Sequence, residues 1–174
     1  SIRLGQTALL GRDIHWIEGR PKEQGRNALV RWRDGGNGHA ERIDEAVPAP
    51  SNVRTRVHEY GGGAFLVTAR GTYFVDDADQ QIWHADPAGE HARRLTSEPG
   101  TRYADLVPDF ARGRLVCVRE DHRGTGEAVN ALVAVSIADG SVRELSPARH
   151  DFCSSPQISP DGAWLAWLTW DHPA

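Results

Sequence analysis

The sequence predicts an all-β protein, a partial β-propeller, and three observations carry this prediction. No stretch of a dozen residues keeps apolar positions at the spacing of an amphipathic helix. Short β-rich runs, separated by Gly, Pro, Asp and Asn, recur instead along the 174 residues. These runs group into units of four short antiparallel strands that repeat about every 40–50 residues, which is the length and strand count of a propeller blade.

Each unit is marked by a charged or glycine turn followed by a strand with apolar residues on both faces. The four marker segments are 11–18, 70–76, 112–118 and 161–168. A strand buried on both faces lies between two packed layers. Second strands are expected at 27–33, 81–86 and 130–137, third strands at 40–43, 92–95 and 142–145, and opening strands at 64–68, 104–108 and 156–159.

The unit boundaries follow from these strands. We expect partial blades at 7–46 and 151–174, where the first lacks an opening strand and the last stops after its second strand. Complete blades are expected at 57–96 and 101–146, and the Pro-rich stretch 47–52 is interpreted as a linker. Such a set cannot close a ring, so residues 1–174 are interpreted as one fragment of a larger propeller. A smaller open-sheet protein is the alternative.

Composition narrows the possible partners. The net charge is −4, and the basic residues, of which Lys22 is the only lysine, are scattered among acidic ones. This distribution predicts no nucleic acid partner. No apolar run is long enough to span a membrane, and no signal peptide opens the chain. Cys117 and Cys153 each lie in an apolar stretch and are expected to be buried free thiols, which favours a cytoplasmic location.

The sequence contains none of the motifs that would indicate catalysis or a cofactor. The G-x-S-x-G nucleophile elbow, the P-loop and the dinucleotide-binding glycine motif are all absent. No helix is expected after Gly61-Gly62-Gly63, and no second His follows His58-Glu59 at the spacing of a zinc helix. We therefore expect no catalytic residue, no cofactor and no metal in this chain. The absence of Met also indicates an internal fragment or a processed product.

Two charged clusters, at 54–60 and 118–123, fall at strand ends or loops, where propellers present functional groups. The candidates for contact with a substrate are His58, Glu59, Tyr60, Arg102, Tyr103, Glu120 and His122. A carboxylate suits a free α-amino group, and an arginine suits a carboxylate. The alternative is structural, with Arg102 paired to Glu59 or Glu120 between blades.

Several strings resemble the N-terminal propeller of the prolyl oligopeptidase family of serine peptidases, most closely the bacterial dipeptidyl-aminopeptidase/acylaminoacyl-peptidase enzymes. The resemblance covers nearly the whole chain. Its most specific strings are His58–Gly63 (HEYGGG), Arg102–Asp105 (RYAD) and Trp170–Pro173 (WDHP). Ser159–Gly162 (SPDG) is common to many propellers and discriminates little.

The resemblance implies a non-catalytic domain that limits access to small peptides and positions them. In that family the propeller caps a C-terminal α/β-hydrolase domain, which holds the Ser, Asp and His triad, so that domain of the same polypeptide is the expected partner. A free-standing TolB-like or WD40-like propeller that binds proteins is the alternative, and a propeller enzyme with a central metal is a third. Self-association through the exposed 164–170 strand is also expected.

Overall fold

The computed structural model describes residues 2–35, 40–146 and 149–173 and consists of antiparallel sheets stacked as consecutive blades. The first blade contains β1 (Arg3–Leu10), β2 (Asp13–Arg20), β3 (Arg26–Arg33) and β4 (Arg42–Glu45). The second contains β5 (Phe65–Thr68), β6 (Gly71–Val75), β7 (Ile82–Ala85) and β8 (Ala92–Arg94). The third contains β9 (Thr101–Asp109), β10 (Arg114–Asp121), β11 (Val129–Ser136) and β12 (Val142–Ser146), and the fourth contains β13 (Phe152–Ile158) and β14 (Leu165–Trp170). Two short 3-10 helices lie at Pro21–Glu23 and Phe110–Arg112.

The predicted all-β architecture of four-stranded antiparallel blades is confirmed, with one correction in the first blade. We expected no opening strand there, and this is wrong, because β1 pairs with β2 and completes a four-stranded sheet. The strand is difficult to detect in the sequence because Gly5 interrupts it and its register shifts between Leu4 and Thr7. Most of its residues are exposed, so it lacks the apolar pattern of a strand buried on both faces.

Apolar side chains fill the spaces between successive blades. All five residues of β6 are buried, and its neighbouring residues Tyr73 and Phe74 belong to different clusters. Phe74 packs with Leu29 of the first blade, whereas Tyr73 packs with Leu115 of the third. Complete burial of such a side chain stabilises the fold by about 1.5–3 kcal/mol. The core is therefore a series of layers between sheets.

Side chains at the register shifts of the opening strands form hydrogen bonds with neighbouring blades. In the first blade, Gln6 lies at the register shift of β1, and its amide bonds to the backbone of the second blade. Its Oε1 accepts a hydrogen bond from the Ala64 N–H at 2.8 Å, and its Nε2 donates to the Phe65 carbonyl at 3.1 Å. A bulge thus leaves a side chain free to reach across to the next sheet.

Asp105 performs the same role for three blades at once. It lies at the register shift of β9 with a left-handed backbone (φ 57°), a conformation that Asp tolerates better than most residues. Its Oδ1 accepts from the Gly63 N–H at 2.7 Å, and its Oδ2 accepts from the Ser155 N–H at 2.8 Å. One carboxylate therefore joins the opening regions of the second and fourth blades to the third.

Both cysteines are free and buried, as the sequence predicted. Burial raises the pKa of the Cys117 thiol and raises that of Cys153 to about 11. Both thiols are therefore protonated at neutral pH, and a thiol is a much weaker nucleophile than a thiolate. Within the described ranges, no helix is long and apolar enough to cross a membrane.

The first and last strands, β1 and β14, carry exposed apolar side chains, and we propose that the isolated chain self-associates through them. Leu9 on β1 is 72% exposed and Leu168 on β14 is 62% exposed, and each strand lies at the edge of its sheet. Such edges pair readily with other chains. Sedimentation velocity is expected to show dimers or larger species as concentration rises, and Leu168→Lys is expected to shift the distribution toward the monomer. A monomer at all concentrations would contradict this proposal.

Candidate functional site

The turn that leads into the second blade is unusual in its backbone. Both His58 (φ 54°) and Glu59 (φ 63°) adopt left-handed conformations, which residues other than Gly, Asn, Asp and His seldom take. The Gly61 N–H closes the turn on the Val57 carbonyl at 2.9 Å. The turn projects the side chains of Glu59 and Tyr60 into solvent, where they are 84% and 81% exposed.

Glu120, at the end of β10, holds this turn from the third blade. It is 4% exposed, and its Oε1 accepts from the His58 N–H at 2.9 Å. Its Oε2 lies 2.8 Å from Nε2 of His122 and 3.4 Å from Nη1 of Arg102. Nη1 of Arg102 also donates to Oε1 of Glu59 at 2.9 Å. Arg102 is thus paired with both carboxylates that the structural alternative named.

The His58 side chain lies at the junction of three blades. Its Nε2 is 3.1 Å from Oδ1 of Asn130, whose Nδ2 donates to the Asp151 carbonyl at 2.9 Å. Because the Asn130 oxygen faces the ring, His58 Nε2 carries the hydrogen. The ring also meets Phe152 and Trp170 edge-on, at centroid distances of 5.5 and 5.4 Å. Phe152 and Trp170 stack on each other at 5.4 Å.

Four residues at the open end of the fourth blade form a reciprocal set of His–Asp pairs, which we call the clasp: His150, Asp151, Asp171 and His172. Nδ1 of His150 is 3.0 Å from Oδ2 of Asp171, and Nδ1 of His172 is 2.9 Å from Oδ2 of Asp151. The Asp151 N–H also donates to Oδ1 of Asp171 at 2.9 Å. The clasp joins the segment before β13 to the segment after β14.

The turn, the strand ends and the clasp enclose an open cleft of about 640 Å³. Its lining residues come from the second, third and fourth blades and are His58, Glu59, Tyr60, Glu120, His122, Glu127, Ala128, Val129, Asn130, His150, Asp151, Phe152 and His172. The hydrogen bond from Arg102 lowers the pKa of Glu59, so this carboxylate is ionised at neutral pH. Oε2 of Glu59 has no hydrogen-bond partner among the described residues. The cleft therefore offers an exposed, ionised carboxylate beside aromatic rings.

The structure brings six of the seven predicted contact residues together. Five line the cleft, and Arg102 is paired with two of them. Tyr103 lies elsewhere, since it is completely buried and its hydroxyl donates to Oε2 of Glu98 at 2.7 Å. Burial also raises its pKa. Successive residues of a strand point to opposite faces, so Arg102 and Tyr103 cannot share a site.

Sequence reasoning missed Asn130 of the third blade and the contribution of the fourth blade, namely the aromatic pair and the clasp. In the antiparallel register Phe152 pairs with Trp170, which brings 150–152 beside 170–172. The Trp-Asp-His string is visible in the sequence, but the residues that lie beside it in the fold are determined by that register. Within the described ranges, no group of three or more His, Cys, Asp or Glu residues is arranged to hold a metal.

The clasp makes an acid-sensitive contribution to stability. Hydrogen bonds from the His172 backbone and ring lower the pKa of Asp151, and the bond from His150 lowers that of Asp171. A carboxyl with a lowered folded-state pKa stabilises the fold above its unfolded pKa of about 4, and this stabilisation is lost as pH falls through the folded value. We expect Asp171→Asn to reduce the free energy of unfolding at pH 7 and to make little difference at pH 2.

Urea unfolding of the wild type and the variant at both pH values checks this expectation. Glu90→Gln, which changes an exposed carboxylate outside the cleft, is the matched control and is expected to show little difference at either pH. A loss from Asp171→Asn that is equal at pH 7 and pH 2 would show that the clasp does not act through the ionised carboxylates.

The chain matches no protein-family model and no curated protein, but solved structures match it over nearly its whole length. Puromycin hydrolase superposes with a TM-score of 0.85 at 36% identity, and the match covers 99% of this chain and 28% of that one. A puromycin-hydrolyzing peptidase of Mycobacterium tuberculosis superposes with a TM-score of 0.84 at 34% identity, again over 99% and 28% of the two chains. TolB from Acinetobacter baumannii has a TM-score of 0.61 at 16% identity, covering 99% of this chain and 39% of that one, which shows the propeller fold alone.

These matches confirm the resemblance that the motifs predicted: over nearly its whole length, the chain is similar to the N-terminal β-propeller region of two solved proteins, puromycin hydrolase, a prolyl oligopeptidase family peptidase, and the peptidase of Mycobacterium tuberculosis. The chain spans 28% of the length of these proteins.

Proposed function

We propose that this chain is the substrate-gating region of a serine peptidase. In this proposal it performs no bond-breaking chemistry, and it admits short peptides and positions them for an α/β-hydrolase domain of the same polypeptide. The observation that carries the proposal is the cleft at the three-blade junction, with its exposed and ionised Glu59. The similarity to two puromycin-hydrolysing proteins supports a small substrate with an amino group.

Glu59 is the proposed anchor for the amino end of the peptide. Its Oε2 is available, its side chain is exposed and its charge is maintained by Arg102. Glu120 has a different role, because both of its oxygens are engaged and it is buried. It positions the turn that presents Glu59. A hydrogen bond between an ammonium and a carboxylate is charge-assisted and stronger than one between neutral groups.

The aromatic side of the cleft supports the same assignment. Phe152 is stacked on Trp170, and His58 meets both rings at their edges, so an apolar surface lies beside the anchor. An ammonium group near aromatic rings is stabilised by their quadrupoles, by about 0.5–1 kcal/mol at exposed sites. A peptide with a free amino end and an apolar first residue therefore matches the cleft in charge and in polarity.

Glu59→Gln in the full-length protein tests the anchor. We expect KM for peptides with a free amino end to rise by up to about fivefold, because one solvent-exposed ion pair is lost. KM for the same peptides with a blocked amino end is expected to stay unchanged. Hydrolysis of chromogenic peptides in both forms provides the measurement. Preference for free over blocked ends also separates a dipeptidyl-aminopeptidase from an acylaminoacyl-peptidase.

Two controls complete this experiment. Glu90→Gln is expected to change neither KM, because Glu90 is outside the cleft. The isolated chain is expected to hydrolyse no peptide, and turnover by it would contradict the non-catalytic role. If Glu59→Gln lowers the melting temperature while both KM values stay constant, Glu59 is a structural residue and the anchor assignment is wrong.

A further inference from the structure

A second cleft, of about 600 Å³, shares Tyr60 with the first cleft, whose lining is acidic, and has basic residues in its own lining. Its lining includes the guanidinium groups of Arg3 and Arg54, together with Asn27 and Tyr60, and contains no carboxylate. Because Tyr60 also lines the first cleft, the two clefts share a wall. The molecule therefore presents an acidic recess and a basic recess next to each other.

The two arginines of this basic cleft are available to a ligand. Among the described residues, neither Arg3 nor Arg54 makes an ion pair or a side-chain hydrogen bond, although many other arginines in the chain are paired with acids. Both side chains are exposed. A guanidinium presents five N–H donors in a planar fork and no acceptor, and this geometry matches a carboxylate.

The rest of the lining complements the same ligand. Tyr60 provides a hydroxyl donor and Asn27 provides an amide, while Gly5, Gly19 and Gly25 leave part of the wall without side chains. A Cβ atom at Gly5 would lie 3.3 Å from Cβ of Ile17, so the missing side chains keep this wall open. The donors thus outnumber the acceptors, and the open wall leaves room for a chain terminus.

We propose that the basic cleft binds the carboxylate of a short peptide whose ammonium group lies in the acidic cleft. This inference rests on the proposed peptide ligand, and it adds a second contact with the opposite charge. A short unblocked peptide carries one positive and one negative end, and the neighbouring recesses match these two ends. Binding of both ends would favour short peptides over long ones, since only a short chain places both charges within reach.

The test in the full-length protein uses tripeptides that differ only at the carboxyl end. We expect wild-type KM to be about tenfold lower for the free acid than for the amide, because the charge-assisted bonds are lost in the amide. Arg54→Gln is expected to raise KM for the acid about tenfold and to leave the amide unchanged, and Arg3→Gln is expected to act in the same direction. Arg12→Gln is the matched control, since Arg12 is exposed, is paired with Asp34 and lies outside the cleft.

A third substrate and a binding measurement complete the design. A tripeptide amide with an internal Glu shows whether an acidic side chain supplies the carboxylate instead of the terminus. Titration calorimetry with N-acetyl-triglycine, which has a carboxylate and no ammonium, reports on the basic cleft without hydrolysis, and binding is expected to be lost in Arg54→Gln.

The two proposals fail in different ways. If the full-length protein hydrolyses no peptide, the proposed function is wrong, while the calorimetry still tests the basic cleft. If the acid and the amide have equal KM values in the wild type, or if N-acetyl-triglycine binds the wild type and Arg54→Gln equally, the carboxylate site is wrong. In that case the result from Glu59→Gln still decides the anchor at the acidic cleft.

Discussion

Asp105→Ala is expected to lower the free energy of unfolding by about 3 kcal/mol, since it removes two hydrogen bonds to a charged acceptor. The carboxylate accepts from the Gly63 and Ser155 N–H groups at 2.7 and 2.8 Å, and these groups belong to different blades. Both N–H groups would be left without this partner. Three blades would lose their shared contact, so we also expect a broader unfolding transition.

Equilibrium unfolding in urea measures this effect. Asp105→Asn is expected to cost less than the alanine variant, because it keeps one acceptor oxygen, but not to match the wild type, because its NH2 group faces the second backbone donor. Glu90→Gln, at an exposed position, is expected to change stability by less than about 0.5 kcal/mol. If Asp105→Ala lowers the free energy of unfolding by less than about 1 kcal/mol, the hydrogen bonds from Asp105 to the other two blades contribute little to stability.

Gly140→Ala is expected to destabilise the fold by at least about 3 kcal/mol, through a backbone clash and an unfavourable dihedral angle. Gly140 lies in the turn between β11 and β12 with φ of 73°, and an added Cβ would lie 1.8 Å from the Leu95 carbonyl oxygen. Leu95 follows β8 in the second blade, so the turn of one blade rests directly on the backbone of another.

Gly113→Ala is the matched control for this substitution. Gly113 has nearly the same dihedral (φ 64°), but nothing lies within 4 Å of the position that an added Cβ would take. It is expected to cost only the left-handed penalty of about 1–2 kcal/mol. Urea unfolding of the two variants separates the dihedral cost from the clash. Equal losses would show that the blades move apart without cost at this contact.

Much of the fold could be predicted from the sequence because propeller blades pack against each other on both faces. Strands such as β6 and β10 therefore appear as continuous apolar runs after a turn, and their positions were predicted closely. β1 was missed because it lies at a sheet edge, where exposed and polar residues are tolerated, and because its bulge breaks the two-residue alternation. The hydrophobic pattern of a strand is least informative where one side of the strand has no neighbouring strand.

Only part of the candidate site could be predicted, because some of its contacts depend on how the blades pack against each other. His58, Glu59 and Glu120 stand out as charged residues at strand ends, a property visible along the chain. Asn130 reaches His58 across 72 positions, and this contact depends on how the third blade packs against the second. Contacts of this kind are determined by sheet packing and strand register rather than by local composition. Tyr103 was grouped with Arg102 because the alternation of β9 was not applied to that pair.

The left-handed residues at 58 and 59 have an implication for engineering. Each such residue outside glycine carries a cost of about 1–3 kcal/mol, and glycine, which the chain uses at position 61, would remove it. Glycine would, however, also remove the contacts that the His58 ring makes with Asn130 and Phe152 and the pairing of Glu59 with Arg102. Thermostabilising changes are best made away from this turn, because glycine at position 58 or 59 would also remove these contacts.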